Sequence, residues 1–275
     1  MLNQLRGKRQ LHGLGFSLCL LCSACGSDIS RDGRVESETT TAVTTTSTVP
    51  PTTSTSSTTT TIAFSRDRPI GEQVAGNRVI MIGDSVLASS AERHHGEMCD
   101  AVVPLGWQVE VDAEQTRYIE FATLVLDQRL EAGWDVALII LGNNYKGDIA
   151  FYTSELTTIL QRLSPRPIVL LTVSEPGFTG RVDEVNAALR AAARSFENVV
   201  LIDWSAATAE NPSFLNDEVH PSIRGRAAFV ALVAAALGPA PLQPGACLET
   251  EFDYDGRRPL PATTEPPPAT DTTTP

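Results

Sequence analysis

The chain is 275 residues long and carries 33 acidic against 21 basic side chains, a formal charge of −12. Nucleic-acid and anionic-membrane surfaces need clustered Lys and Arg, so this balance argues against both as partners. Hydrophobic residues make up 42% and aromatics 6%, enough for one core, but they are spread unevenly. Thr and Ser dominate 37–62, and Pro, Thr, Glu and Asp fill most of 261–275. Segments without apolar side chains cannot offset the entropy of ordering, so neither stretch is expected to fold. What remains is 66–255, a length that suits a single domain.

Arg6, Lys8 and Arg9 precede an apolar, small-residue run at 11–24, and no acid occurs before Asp28. That is the pattern of an export signal, so 1–24 reads as a signal peptide. The run is shorter than the roughly 20 apolar residues a spanning helix needs. It ends Leu21-Cys22-Ser23-Ala24-Cys25. Ser-Ala-Cys resembles a bacterial lipobox, which implies lipidation at Cys25, although Cys22 stands where that motif prefers Leu. Ordinary cleavage after Ala24 would instead release a soluble secreted protein. The 25–65 stretch reads as a Thr/Ser-rich tether, about 37 flexible residues of which reach roughly 35 Å. Its composition equally suits O-glycosylation or an inert spacer. The expected location is extracellular or the outer face of the cytoplasmic membrane, with membrane contact only through an N-terminal lipid. The 256–275 stretch reads as a disordered tail.

Cys19 and Cys22 fall in the leader, which leaves Cys99 and Cys247 in the domain. In an oxidising compartment two such cysteines are expected to pair. The domain has no Cys-x-x-Cys, and His94 and His95 are adjacent rather than at ligand spacing. No metal is expected, and the two histidines read as solvated.

The apolar run 78–83 ends in Gly83 and reads as a buried strand. The 88–97 stretch reads as a helix, and 107–111 as a second strand. In 118–132, Ile119, Ala122, Leu126 and Leu130 share one face of an amphipathic helix that Gly133 ends. A continuous apolar strand at 135–141 precedes a helix at 149–163, with Leu156, Ile159, Leu160 and Leu163 inward. Then follow a strand at 167–173, an Ala-rich helix at 182–196, a fifth strand at 199–204 and a closing helix at 222–237. The apolar part of that last helix, 227–237, is too short to cross a bilayer. Fully apolar strands alternating with helices imply a parallel sheet covered on both faces. The predicted fold is a three-layer α/β/α domain with a five-stranded parallel sheet.

In open α/β sheets, ligands bind beyond the carboxyl ends of the strands. Three polar clusters fall there: Gly83-Asp84-Ser85, Gly142-Asn143-Asn144 and Asp217-Glu218-Val219-His220-Pro221. A serine hydroxyl needs a base to become a nucleophile, and His220 is available. An imidazole needs a carboxylate to fix its tautomer, and Asp217 lies three residues upstream. An asparagine amide can donate to a tetrahedral oxyanion. Taken singly, each cluster has a plainer reading: Asp84 as a helix cap, Ser85 as a helix-start serine, the Asn pair as a turn, Asp217 as a loop acid. Asn186 and Glu175 fall near the same rim, Glu175 as a solvated acid.

Together the clusters resemble the SGNH (GDSL-type) hydrolases, whose markers are Gly-Asp-Ser after strand one, Gly-x-Asn after a central strand and Asp-x-x-His near the C-terminus. The resemblance covers about 79–238. It looks closest to the SGNH domains that accompany bacterial cell-envelope acyltransferases. It implies a flavodoxin-like fold, a catalytic Ser85–His220–Asp217 triad, and an oxyanion hole from Asn144 and the Ser85 backbone N–H, with Gly83, Asp84, Gly142 and Asn143 in support. No cofactor is implied. The family also places a glycine after strand two as an oxyanion donor. Here that position falls in Asp112-Ala113-Glu114-Gln115-Thr116-Arg117, which has no glycine. Thr116 or Gln115 still offers an N–H, but a β-branched residue at φ > 0 is costly. Tyr145 replaces the acid that usually follows Gly-x-Asn.

The function expected is an exported serine esterase that releases small acyl groups such as acetyl, on a carbohydrate or another small ester. An O-acetyltransferase acting on envelope polysaccharide and a non-catalytic, tethered glycan-binding module are the alternatives.

Overall fold

The computed structural model describes residues 63–174 and 181–255. The signal peptide, Cys25, all but the end of the tether, Glu175 and the 256–275 tail lie outside the described residues.

Among the described residues, six strands form one parallel sheet: β1 (Arg78–Gly83), β2 (Gln108–Ala113), β3 (Val136–Ile140), β4 (Ile168–Leu171), β5 (Val199–Ile202) and β6 (Ala246–Leu248). Their spatial order is β5-β4-β3-β1-β2-β6. The sequence predicts five. The sixth is a three-residue edge strand that pairs with β2, and its Ala-Cys-Leu run is too short to announce it.

Among the described residues seven α-helices accompany the sheet: α1 (Ser85–Ala88), α2 (Glu97–Val102), α3 (Glu120–Arg129), α4 (Ile149–Leu163), α5 (Arg181–Ser195), α6 (Trp204–Glu210) and α7 (Ile223–Leu237). Strand side chains alternate between faces, which divides the core in two. Val79 and Met81 of β1 pack with Val86, Leu87, Met98, Phe229 and Val233 of α1, α2 and α7. Ile80 and Ile82 pack on the other face with Ala122, Leu156, Ile159 and Leu189 of α3, α4 and α5. Three layers result, and the central strands β3 and β4 are apolar throughout because both their faces are covered.

The expected 88–97 helix is a correction. α1 stops at Ala88, and α2 begins only at Glu97. Between them the N–H groups of His94, His95 and Gly96 all converge on the carbonyl of Ala91, at 3.0–3.1 Å. That turn replaces helical pairing. The fifth strand also ends earlier than expected: Asp203 caps α6 by accepting from Ala206 N–H.

β1 sends the chain to β2 on one side, and β3 flanks it on the other. This is the switch point at which doubly wound sheets bind ligands. The rim there is pinned. Glu114 N–H donates to Gly83 O, and Asp84 N–H donates to Ile140 O, joining the ends of all three strands. The loop before α7 is fixed by a close approach. A Cβ on Gly225 would lie 1.8 Å from the Phe214 carbonyl oxygen, so only glycine lets α7 pack against the 212–214 turn.

Candidate active site

Ser85 is the first residue of α1, directly beyond the end of β1. Asp84 caps the helix: its fully buried carboxylate accepts from Val86 N–H at 3.0 Å. Asn143 Nδ2 donates to both Asp84 oxygens, at 3.0 and 3.3 Å. Burial pushes the Asp84 carboxyl up to about 6 against the opposing pull of these donors. Asp84 and Asn143 thus hold the start of α1, and with it Ser85, against the end of β3.

His220 arrives from the loop before α7. Asn216 N–H donates to His220 O at 2.9 Å, and Leu215 bridges Pro221, so the loop closes on itself. Inside it, Asp217 Oδ1 accepts from the N–H groups of His220 and Val219, at 2.6 and 2.8 Å. Asp217 Oδ2 lies 2.9 Å from His220 Nδ1. The His220 backbone donor leads in holding the Asp217 carboxyl down at about 2, with its ring and Val219 N–H adding to it. A carboxylate only accepts, so Nδ1 carries the ring proton and Nε2 presents a lone pair. Nε2 lies 3.0 Å from Ser85 Oγ. Residues 135 apart in sequence are in hydrogen-bond contact, and the Ser–His–Asp relay is continuous.

Gly142 ends the β3 segment, and its carbonyl accepts from Tyr145 N–H at 3.2 Å, closing the turn that carries the two asparagines. They divide the work. Asn143 is spent on Asp84, whereas Asn144 Nδ2 donates to Arg117 O at 3.1 Å. That bond uses one of the two amide hydrogens of Asn144 and leaves the other. Thr116 adopts φ 59°, the left-handed conformation, which no other non-glycine among the described residues adopts. The backbone shape that the sequence flagged as costly for threonine is present all the same. Next to it Arg117 is buried, ion-paired to Glu114 and set over the Phe121 ring.

One expectation needs correction. Asn186 lies by the rim, on Val173 just past β4, but is closed to substrate: it is fully buried, and its amide accepts from Val173 N–H and donates to Val173 O, at 2.8 and 3.0 Å. His94 and His95 are exposed, as expected, and they also line the space beside the serine. Ser85 and His220 open on a cavity of about 200 Å³ whose walls also include Ala88, Ser89, His94, His95 and Gln115. Adjacency ruled out metal spacing but carried no signal for this placement, which depends on the turn around Ala91. A second cavity, of about 210 Å³, lies behind the Gly142–Tyr145 turn among Tyr118, Lys146, Phe151 and Tyr152, and includes neither Ser85 nor His220. Among the described residues no three His, Cys, Asp or Glu side chains are grouped to hold a metal ion.

No protein-family model and no curated protein matches the chain. Solved structures do. The C-terminal catalytic domain of peptidoglycan O-acetyltransferase A (OatA) from Streptococcus pneumoniae matches with TM-score 0.51 and 18% identity, over 59% of this chain and 93% of that one. A lipase/acylhydrolase from Enterococcus faecalis matches with TM-score 0.51 and 20% identity, over 57% and 93%. At these identities the likeness establishes a shared fold alone, and a fold by itself assigns no chemistry.

Proposed function

We propose that the chain is an exported serine ester hydrolase of the SGNH type, acting on small acyl esters such as acetyl groups carried by a carbohydrate. The observation that carries the reading is the Ser85–His220–Asp217 relay, with contacts of 3.0 and 2.9 Å, at the carboxyl rim of the sheet. Ser85 Oγ attacks the ester carbonyl while His220 Nε2 takes its proton. The oxyanion is held by the Ser85 N–H, Asn144 and the Thr116 N–H. Collapse of the tetrahedral intermediate breaks the ester bond, and His220 returns the proton to the departing alkoxide. Water activated by the same imidazole then releases the acyl group and regenerates Ser85. Asp217 keeps the imidazole in the required tautomer throughout.

Hydrolysis is favoured over transfer because His220 and Asp217 are 47% and 58% exposed, so water reaches the acyl-enzyme freely. Export rests on the leader pattern and on the Cys99–Cys247 disulfide, a bond that persists in oxidising compartments. Anchoring through a lipid on Cys25 completes the proposal. No described helix is long and apolar enough to cross a membrane.

The test is hydrolysis of 4-nitrophenyl acetate by the purified protein, with Ser85→Ala beside it and labelling by a fluorophosphonate. Loss of turnover and of labelling in the variant is expected. Unchanged turnover would sink the reading. Acetyl transfer to an oligosaccharide in place of acetate release would favour the transferase.

A further inference from the structure

The cavity at Ser85 has a polar wall that the relay does not use. It is lined by Ser85 and His220 but by neither Asn143 nor Asn144. It therefore lies on the side of Ser85 from which His220 delivers its proton, where the alcohol part of an ester sits. Among its walls Ser89 has no proton to offer, since its hydroxyl donates to Val86 O at 2.7 Å, and it can only accept. His94 Nε2 is held by Asp255 Oδ2 at 3.0 Å. Asp255 also receives both arms of Arg93, which donates in turn to Ala113 O at the end of β2. His95 and Gln115 remain, exposed side chains facing the same space from opposite turns.

We infer that His95 and Gln115 form the alcohol subsite, a hydrogen-bonding wall that selects an ester whose leaving group is rich in hydroxyls over one with a bare alkyl or aryl leaving group. An imidazole and a carboxamide each offer a donor and an acceptor, the pairing that a hydroxyl satisfies from both sides. Ala88 is the single apolar side chain in the wall, so a hydrocarbon leaving group would find little to bury against. The wall is also preorganised. His95 sits on the turn whose three N–H groups converge on Ala91 O, and Gly96 at φ 76° lets that turn lead into α2. α2 is fixed by the disulfide at Cys99 and by the 2.7 Å bond from Arg226 to Glu97. A hydrogen-bonding wall mounted on anchored elements discriminates better than one on a free loop. The inference rests on the ester-hydrolase reading and names the substrate class of that same site.

The test compares kcat/KM for 4-nitrophenyl acetate with that for an acetylated xylo-oligosaccharide, in the wild-type protein, His95→Ala, Gln115→Ala and His95→Gln. His95→Ala and Gln115→Ala should each lose about five- to tenfold on the oligosaccharide, mainly through KM, and stay within about twofold on the aryl ester. His95→Gln, which keeps a donor and an acceptor, should recover most of the loss. Equal effects on both substrates, no effect on either, or a wild-type protein that ignores the acetylated sugar would overturn the inference. Each of those results would leave the esterase reading standing as long as Ser85→Ala abolishes aryl-ester turnover. If Ser85→Ala turns over the aryl ester like the wild type, the reading itself falls.

Discussion

Asn144 Nδ2 lies 3.1 Å from the carbonyl oxygen of Arg117, so the turn after β3 is tied to the turn after β2 beside the strained Thr116. The two groups proposed as oxyanion donors are thus one mechanical unit. The left-handed Thr116 is held by its neighbours: Glu114 N–H on Gly83, the buried Arg117–Glu114 pair, and Asn144 itself. A β-branched residue in this region costs about 1–3 kcal/mol, and such strain persists only where the surroundings over-determine it. Replacing it by glycine relieves the strain and adds about 0.5–1 kcal/mol of unfolded-state entropy. Thr116→Gly should therefore gain about 1 kcal/mol and raise Tm by about 2–4 °C, with ester turnover kept within about twofold. Thermal unfolding checks it. A lower Tm would mean that the threonine side chain makes a contact worth more than the strain.

The neighbouring asparagines should fail in different ways. Asn144→Ala removes the proposed side-chain donor to the oxyanion and should cost about 10²- to 10³-fold in kcat. Its effect on unfolding should be small, because the side chain is only half-buried. Asn143→Ala strips the buried Asp84 carboxylate of its side-chain donor. That should cost about 1–3 kcal/mol of stability. The loss should be larger above pH 6, where Asp84 ionises, than below it, where the carboxyl is neutral. Urea unfolding of the pair at pH 5 and pH 8, alongside single-turnover rates, separates the two roles.

The parts that could be read from the sequence are those that local chemistry dictates. The run at 78–83 and helix α4 at Ile149–Leu163 carry their own periodicity, and the structure places both where the pattern does. The Ser85, Asn144 and Asp217/His220 clusters were visible because each sits beside a strand or helix boundary. What stayed hidden depends on contacts distant in sequence. β6 exists because Ala246–Leu248 lies along β2, not because three half-buried residues favour a strand. Helix α1 ends early because Ala91 O gathers three N–H groups, and that turn brings His95 to the Ser85 cavity. Asn186 looked available at the rim, and only tertiary structure shows its amide committed to Val173.

β2 and the residue just past its end bury three acids: Glu110 and Asp112 in the strand, and Glu114 after it. Glu110 pairs with Arg129 and Glu114 with Arg117. Asp112 has no cation of its own. It accepts from the Thr250 hydroxyl, and its Oδ2 meets no partner. Burial accordingly pushes its carboxyl up to about 7. The sign follows from linkage. As pH rises from about 4 to 7 the unfolded chain ionises this group freely, while the folded chain must keep its proton. Stability therefore falls across that window and stays lower above it. Asp112→Asn keeps an oxygen for Thr250 and removes this group's share of the slope, leaving the smaller share of Asp84. The variant should match the parent near pH 4 and exceed it by about 1–3 kcal/mol at pH 8, in urea unfolding at each pH. A stability difference between variant and parent that does not grow between pH 4 and 7 would contradict the burial argument.

The last prediction concerns the bond that holds β6 in place. Cys99 on α2 and Cys247 on β6 close a loop spanning 148 residues. A loop of that length is worth about 5 kcal/mol in the chain-entropy model, and removing native disulfides costs about 2–5 kcal/mol in practice. The local effect should exceed the global one. β6 is three half-buried residues at the sheet edge, paired on one side to β2. Beyond it Thr250 covers Asp112, and Phe252 packs edge-on against Phe121. Without the bridge this strap has little to keep it on the sheet. Cys99→Ala/Cys247→Ala should lower the urea midpoint and strip hydrogen-exchange protection from 246–252 first. β1 and β3, whose side chains are buried in the core, should stay protected until global unfolding. An unchanged midpoint would mean that the strap's apolar and hydrogen-bonded contacts hold it without the sulfur bond.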